Sequence, residues 1–577
     1  MNIKLPIKIL LFFLVQQTVQ TLNGQIVPRK YLFNQTYTHQ ELIATYKALE
    51  TKYTFGRLLT YGYTDGGNPI HLFVIDAHAE FSPVEAQKRG KRTLFILNGI
   101  HPGEPDGIDA SVEFAEDLLK DKEYHNLLSN VTVIIMPVYN VDGMLIRGNT
   151  RVNQNGPEES GFRANARNLD LNRDCIKADS KNMEVLTKIF QDWKPEFFID
   201  THVSNGADYH YVMTLIPTAP DKLEEPQKIY LRNQLLPKLY ENMRVSGFEM
   251  APYVLLKKDI PDSGIVAFND SPRYTTGYAS LFGTIGFTTE THMLKPFPDR
   301  VKATKAFLTV LFKELSENYD KVFALKKQAL FSIRNSEGFY LNHETDFSRL
   351  ENLLFKGYEA EYKTSDLTGA KRLYYNRSRP FEKTIPYYAY LRGKNFVRKP
   401  EAYLIPQAWR EIISRLKANG IDMEELETEK EFNAEYYIIE EFSGPYLYEG
   451  RAMVSPTKIS SEKGKIIGKE GDYLVKTGTE SDKFLLSVLE PLSKDSYFQW
   501  GFFNSILEQK EYFSDYLFEE TALELIQKKP ELKASMDEFF RKNSDLDTPG
   551  KRLEYIFKNS TYSDPFRGIY PIYRIMP

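Results

Sequence analysis

The chain has 577 residues, 42% of them apolar and 26% charged, with 38 Phe and 37 Tyr. That composition excludes intrinsic disorder and supports at least one large core, with two or more domains expected from length. A net charge of −4 with interleaved signs supplies no basic face to neutralise phosphates, so no nucleic-acid partner is expected.

The N-terminal stretch MNIKLPIKILLFFLVQQTVQTLNGQ places Lys4 and Lys8 around the start of an apolar run at 9–15, with Gly24 near its end. This is the layout of a secretory signal peptide, and the run is too short to span a membrane. Residues 1–24 are therefore expected to be removed, leaving a secreted or periplasmic product without a stable membrane anchor. With no cysteine near that cleavage point, a cysteine-linked lipid is also excluded. The single cysteine, Cys175, cannot form an intrachain disulfide, so stability in an oxidising space has to come from the core.

Helical apolar spacing over 38–53 is followed by two apolar runs flanking Asp65-Gly66-Gly67-Asn68, a hairpin signal. Next come a strand candidate RTLFILNGI (92–100), a helix over 106–121, a strand in VTVIIMPVYN (131–140) and a polar loop to about 170. A helix near 179–192, the strands FFID (197–200) and FGTIGFTTE (282–290), and a helix over 300–318 complete the series. Short buried strands alternating with helices predict an α/β domain over 25–322, its mixed twisted sheet covered by helices on both faces. The remainder, 323–577, reads as an α+β accessory region of one or two subdomains, rich in Tyr. It has one clear helix at 407–418, ended by Asn419-Gly420, and two more helical candidates in 511–544.

The segment HPGEPDG (101–107) follows the buried run TLFILN. Read locally, it is a polar turn. A zinc site, however, takes imidazole and carboxylate ligands and leaves one position open when it is catalytic. His101 and Glu104 can supply two ligands from one turn, and His202, expected just beyond the strand 197–200, can supply a third, because strand ends in an open α/β sheet converge on one crevice. Glu290, at the end of another apolar run in TIGFTTETHM, is a candidate general base, or else a solvated strand terminus.

In order and spacing, HPGE, NVDG (140–143), TRVNQNG, ANARNLDLNRD (164–174), IDTH and TTE resemble the M14 family of zinc metallocarboxypeptidases, over roughly residues 38–318. The resemblance implies one Zn2+ per chain, held by His101, Glu104 and His202, with Glu290 activating water and shuttling the proton. It further implies that Arg151 meets the oxyanion, with Arg147 and Arg163 as the other nearby arginines, and that Asn172 and Arg173 grip the substrate's free C-terminal carboxylate. A guanidinium suits that task because its planar fork gives two parallel charged hydrogen bonds. A substrate-capping tyrosine is expected in SPRYTTGYASL, which offers Tyr274 and Tyr278; Tyr278 is the one selected.

The implied activity is release of C-terminal amino acids from peptides. The alternatives are a zinc amidase or deacylase acting on peptidoglycan peptides or acylated amino acids, and a non-catalytic peptide- or glycan-binding protein on the same scaffold. The texture of the accessory region resembles long secreted bacterial members of the family. No stretch before residue 38 is long enough for a folded inhibitory prosegment, so activity on secretion is expected. Asp259, Asp262 and Asp270 are candidates for a terminal-pocket floor that favours basic residues, or else solvated loop residues in a stretch that also holds Lys257 and Lys258, so side-chain preference is not readable from the sequence. Oligomeric state is not readable from the sequence.

Overall fold

In the computed structural model the described residues are 27–576, so the signal-peptide reading of residues 1–24 lies outside them. The chain forms two units. One contains the described residues up to Asn335 together with Asn342–Lys394, and the other contains Ser336–Leu341 with the chain from Asn395 onward. The expected division at 322/323 coincides with none of the three crossings, at 335/336, 341/342 and 394/395. A helix at Tyr319–Asn335, absent from the sequence reading, directly follows the one at Phe297–Glu317.

The first unit is built on an eight-stranded sheet: β1 (Gly56–Tyr63), β2 (Pro69–Ile75), β3 (Arg92–Leu97), β4 (Val131–Met136), β5 (Phe197–Ser204), β6 (Met213–Pro217), β7 (Met250–Pro252) and β8 (Ile285–His292). Their spatial order is β1-β2-β4-β3-β5-β8-β6-β7. The central neighbours β4, β3, β5 and β8 run parallel, and β1, β2 and β6 pair antiparallel at the flanks. Every residue of β3, β4 and β5 is buried, as continuous apolar runs require when helices cover both faces.

The helix His39–Lys52 starts where expected because Thr38 and Glu41 form a reciprocal capping box. The β1–β2 turn closes at Gly67, whose φ of +80° is a left-handed conformation that glycine adopts without penalty. The turn is tied down by Asp142 of NVDG, which accepts from Thr64 Oγ1 at 2.6 Å and Asn68 Nδ2 at 2.8 Å.

Two departures move functional residues. Strand β5 runs on to Ser204, so His202 lies within it rather than beyond its end, and β8 likewise extends past Glu290 to His292. The segment 342–394 contributes a long antiparallel ribbon, Glu351–Thr364 with Lys371–Tyr388, to the first unit.

The second unit carries a six-stranded antiparallel sheet that includes a second long ribbon, Lys430–Tyr448 with Arg451–Gly468. Its helix Arg410–Ala418 ends at Asn419-Gly420 as expected. Helices Asp515–Lys528, Pro530–Lys542 and Pro549–Lys558 pack on Phe518, Met536 and Phe557. The last of these three was not anticipated. Among the described residues, no helix is long and apolar enough to cross a membrane.

Candidate active site

The turn after β3 brings His101 and Glu104 together through a hydrogen bond from the Glu104 N–H to the His101 carbonyl, 2.9 Å. It then enters the helix Asp106–Lys120 at a residue that has to be glycine. A Cβ on Gly107 would lie 2.0 Å from Thr201 Oγ1, so the helix start is pressed against β5. That close approach sets HPGE beside His202. The Val203 N–H on β5 donates to Glu104 Oε2 at 2.9 Å.

His101, Glu104 and His202 are all buried, and one donor atom from each lies within 4.8 Å of the others. Both imidazoles turn the same nitrogen inward. His101 Nδ1 is 3.3 Å from Glu104 Oε1, and His202 Nδ1 is 3.0 Å from Glu104 Oε2. Both outward nitrogens meet carboxylates: His101 Nε2 is 2.9 Å from Asp170 Oδ1, and His202 Nε2 is 3.0 Å from Asp200 Oδ2.

This arrangement fits a zinc ion. His101 Nδ1 is buried without a hydrogen-bond partner among the described residues, and the Asp170 carboxylate behind that ring favours the tautomer that leaves Nδ1 free to bind metal. Burial alone would raise the Glu104 carboxyl. The charges of His101 and Arg151 outweigh it and hold Glu104 well below its ordinary range. Burial disfavours the charged form of His202, but Asp200 and Glu104 raise its pKa well above the usual imidazole value.

Glu290 lies beside His202, because β8 and β5 pair in parallel with those two residues in register. Burial pushes its carboxyl up to about 8, and the neighbouring Glu104 and Asp200 charges add to the shift. A divalent cation at the His-Glu-His cluster would oppose that rise.

Arg151 reaches Glu104 through Nη1 and donates from Nη2 to the Val203 carbonyl at 3.0 Å. Arg163 donates to Asp170 Oδ2 at 2.9 Å and is 3.4 Å from Glu104, so it too lines the cleft. Arg147 does not; it donates to the Tyr37 and Glu159 carbonyls elsewhere. Asn172 and Arg173 are in the cleft, with the buried Asn172 Oδ1 unpartnered among the described residues and the Arg173 guanidinium 4.7 Å above the Tyr274 ring.

Tyr278 is the correction. It is 2% exposed, within the helix Thr275–Ser280, its ring edge-on to Phe190 and Phe282 at 5.3 Å each. Tyr274, the residue before that helix, faces the cleft instead, together with Tyr253 and Phe268. The aspartates considered for the pocket floor are also elsewhere: Asp262 pairs with Lys383, Asp270 with Lys222, and Asp259 is exposed. The cleft, about 300 Å³, is floored in part by Thr275, Thr276 and Thr288.

Residues 42–203 match the family model of the zinc carboxypeptidases, Peptidase_M14. The matched segment carries all three residues of the His-Glu-His cluster, whereas Glu290, Tyr253 and Phe268 lie beyond it. The chain is similar to carboxypeptidase 2 of Trichophyton tonsurans, at 22% identity over 455 residues, covering 73% of this chain and 76% of that relative. Similarity to the probable carboxypeptidase 2 of Arthroderma benhamiae is 22% over 482 residues, covering 78% and 80% respectively. Among solved structures, the metallo-carboxypeptidase of Burkholderia cenocepacia aligns with a TM-score of 0.37 at 16% identity, covering 49% of this chain and 70% of that one.

Among the residues that escaped the sequence reading are Asp170 and Asp200, which stand behind the histidine rings, and Tyr253 and Phe268, which line the cleft. Asp170 and Asp200 stood inside quoted motifs, in NLDLNRD and directly before Thr201-His202, and a carboxylate near a ligand histidine in sequence is the signal that points to them. Tyr253 and Phe268 carry no such signal, since they lie in a stretch of short strands and turns without periodicity.

Proposed function

We propose that this chain is a zinc metallocarboxypeptidase that releases C-terminal amino acids from peptides with a free carboxylate. The observation that carries the reading is the convergence of a buried His-Glu-His cluster, the carboxyl of Glu290 and the Asn172-Arg173 pair on one cleft. The family match over 42–203 supports the same enzyme class.

His101, Glu104 and His202 hold one zinc ion per chain. When bound, it supplies Lewis acidity toward the scissile carbonyl and toward water. Glu290 is the general base: it takes a proton from the attacking water at its carboxylate and returns one to the departing amine. Arg173 grips the terminal carboxylate through its guanidinium, and Asn172 adds a side-chain amide. Arg151 donates to the oxygen on which charge develops, a donor already held in the cleft by the Val203 carbonyl. Arg163 stays bound to Asp170 and supports His101 from behind.

The N-terminal sequence supports export to an extracellular or periplasmic space. The second unit is consistent with the reading of a C-terminal accessory region whose texture resembles long secreted bacterial forms.

The test is release of free amino acids from a peptide library, half of it amidated at the C-terminus, with Glu290→Gln as control. Release from free-carboxylate peptides only, lost in the variant, is the expected result. Equal cleavage of amidated peptides overturns the carboxylate grip and puts an amidase first; no cleavage at all overturns the enzyme assignment.

A further inference from the structure

The ribbon of Glu351–Thr364 and Lys371–Tyr388 has two halves. Its register runs from Glu351 opposite Tyr387 to Tyr358 opposite Pro380 and resumes with Glu359 opposite Asn376, so residues 377–379 are extra on the second strand and the ribbon bends there. The inner half packs on the first unit, with Phe355 and Ile385 buried against Tyr209 and Tyr211. The outer half, 359–364 with 371–376, pairs with no third strand among the described residues.

Opposed residues of such a pair share a face, and successive residues alternate. One face of the outer half is polar and matched within itself: Glu361 accepts from Asn376 Nδ2 and Arg379 Nη1 at 2.9 Å each, and from the Tyr374 hydroxyl. The other face carries Ala360 opposite Tyr375 and Tyr362 opposite Leu373. Tyr362 is 58% exposed, and Leu367 in the turn 93%. A two-stranded ribbon is at best marginally stable in water, so an apolar face on its free half calls for a cover.

The bend is where the ribbon meets the segment that leaves the catalytic cleft. Ser204 and Asn205, cleft residues that follow His202 in the chain, lead into residues 206–210, which are stitched to the ribbon. Arg377, in the bend, pairs with the buried Asp208 at 2.6 Å. Tyr209 forms an antiparallel bridge with Gly357, the His210 N–H donates to the Lys356 carbonyl at 3.1 Å, and the His210 ring lies 4.6 Å from that of Tyr358. Because the bridge is antiparallel, the chain from Tyr209 back to Asn205 leaves it in the direction of the outer half.

We propose that the apolar face of the outer ribbon receives the substrate's upstream residues, those on the amino side of the bond cleaved, so that the enzyme prefers longer peptides with apolar residues there. The proposal rests on the carboxypeptidase reading and goes beyond it. A peptide held by its terminal carboxylate at Arg173, with its last bond at the His-Glu-His cluster, has to continue past that cluster, and Ser204-Asn205 is cleft wall beyond His202. Upstream apolar side chains laid on Tyr362 and Leu373 remove apolar area from water on both partners. The ribbon lies outside residues 42–203, in a part of the chain that the family match does not reach.

The experiment measures kcat/KM of the zinc-loaded full chain on N-acetylated peptides that share their last two residues: a dipeptide, and hexapeptides with either Leu or Gly at every upstream position. Tyr362→Ser and Leu373→Ser are compared with wild type. The Leu hexapeptide is expected to exceed the dipeptide and the Gly hexapeptide by about tenfold, the effect of burying one apolar side chain in part. Each substitution should remove most of that advantage and leave the dipeptide rate unchanged, which also shows that the variants fold. Titration of Glu290→Gln with the same peptides should give the same order of affinities without turnover. Equal rates on the three substrates, or variants that keep the Leu advantage or slow the dipeptide equally, overturn the ribbon assignment and leave the carboxypeptidase reading intact. Wild-type dimers in sedimentation velocity that dissociate on Tyr362→Ser mean that a second copy covers the face, and overturn it too. Cleavage of no free-carboxylate peptide overturns the carboxypeptidase reading, and the ribbon assignment with it.

Discussion

His101 Nε2 and Asp170 Oδ1 lie 2.9 Å apart, with the Asp170 side chain mostly buried at the edge of the cleft. The carboxylate accepts the proton of that nitrogen, so Nδ1 presents its lone pair to Glu104 and to any ion held there. Asp170→Asn keeps the shape and removes the charge. Its affinity for zinc, measured by chelator competition, is expected to fall by about 10–100-fold. Unchanged affinity would mean that Asp170 does not orient the ligand.

Glu290→Gln is expected to bind zinc as the wild type does and to lose about 10²–10⁴-fold in kcat, because the amide can neither take nor return a proton. Metal content by atomic absorption and steady-state kinetics on one peptide separate the two properties. A variant that loses zinc as well as rate would argue that Glu290 acts on the site's structure.

His292, the last residue of β8, is fully buried. Its Nε2–H donates to the Ala207 carbonyl at 2.9 Å, and its Nδ1 accepts from the Leu294 N–H at 3.2 Å. Burial lowers its pKa from 6.5 to about 4. In the unfolded chain the ring takes up a proton below about pH 6.5, while the folded state resists until about pH 4. The stability from keeping this ring neutral is therefore complete above pH 6.5 and is lost progressively as pH falls through 4. The full effect is about 3 kcal/mol, from about 1.4 kcal/mol per pKa unit. The unfolding midpoint of wild type should drop more steeply over this interval than that of His292→Gln. Parallel slopes would remove His292 as a source of acid sensitivity.

Arg300 and Asp106 form a buried ion pair, 2.8 Å from Nε to Oδ2, with side-chain exposures of 0% and 2%. Arg300 also donates to the Lys295 and Gly156 carbonyls, at 2.8 Å each, and so clamps two loops. Arg300→Met leaves Asp106 charged and buried, and is expected to cost about 3–5 kcal/mol, seen as a lower midpoint in urea unfolding. A loss below about 1 kcal/mol would show that Asp106 takes up a proton or water instead.

The cluster of His101, Glu104, His202 and Glu290 was readable because each residue lies in or just beyond a strand that opens with a buried apolar run. Such runs form central parallel strands, whose register the fold dictates. Which of the two tyrosines in SPRYTTGYASL faces the cleft was not readable, for a local reason. Tyr274 precedes its helix with extended backbone, φ −90° and ψ 154°, and faces the cleft, while Tyr278 lies inside the helix and packs inward. Sequence proximity does not distinguish these directions.

The chain leaves the first unit at Asn335, returns for Asn342–Lys394 and leaves again. No single proteolytic cut or stop codon can therefore yield both units whole. A fragment ended at residue 335 would keep every residue of the metal cluster but lack the ribbon strands Glu351–Thr364 and Lys371–Tyr388. The shortest fragment that retains the full first unit has to run to Lys394, carrying with it the six-residue excursion 336–341.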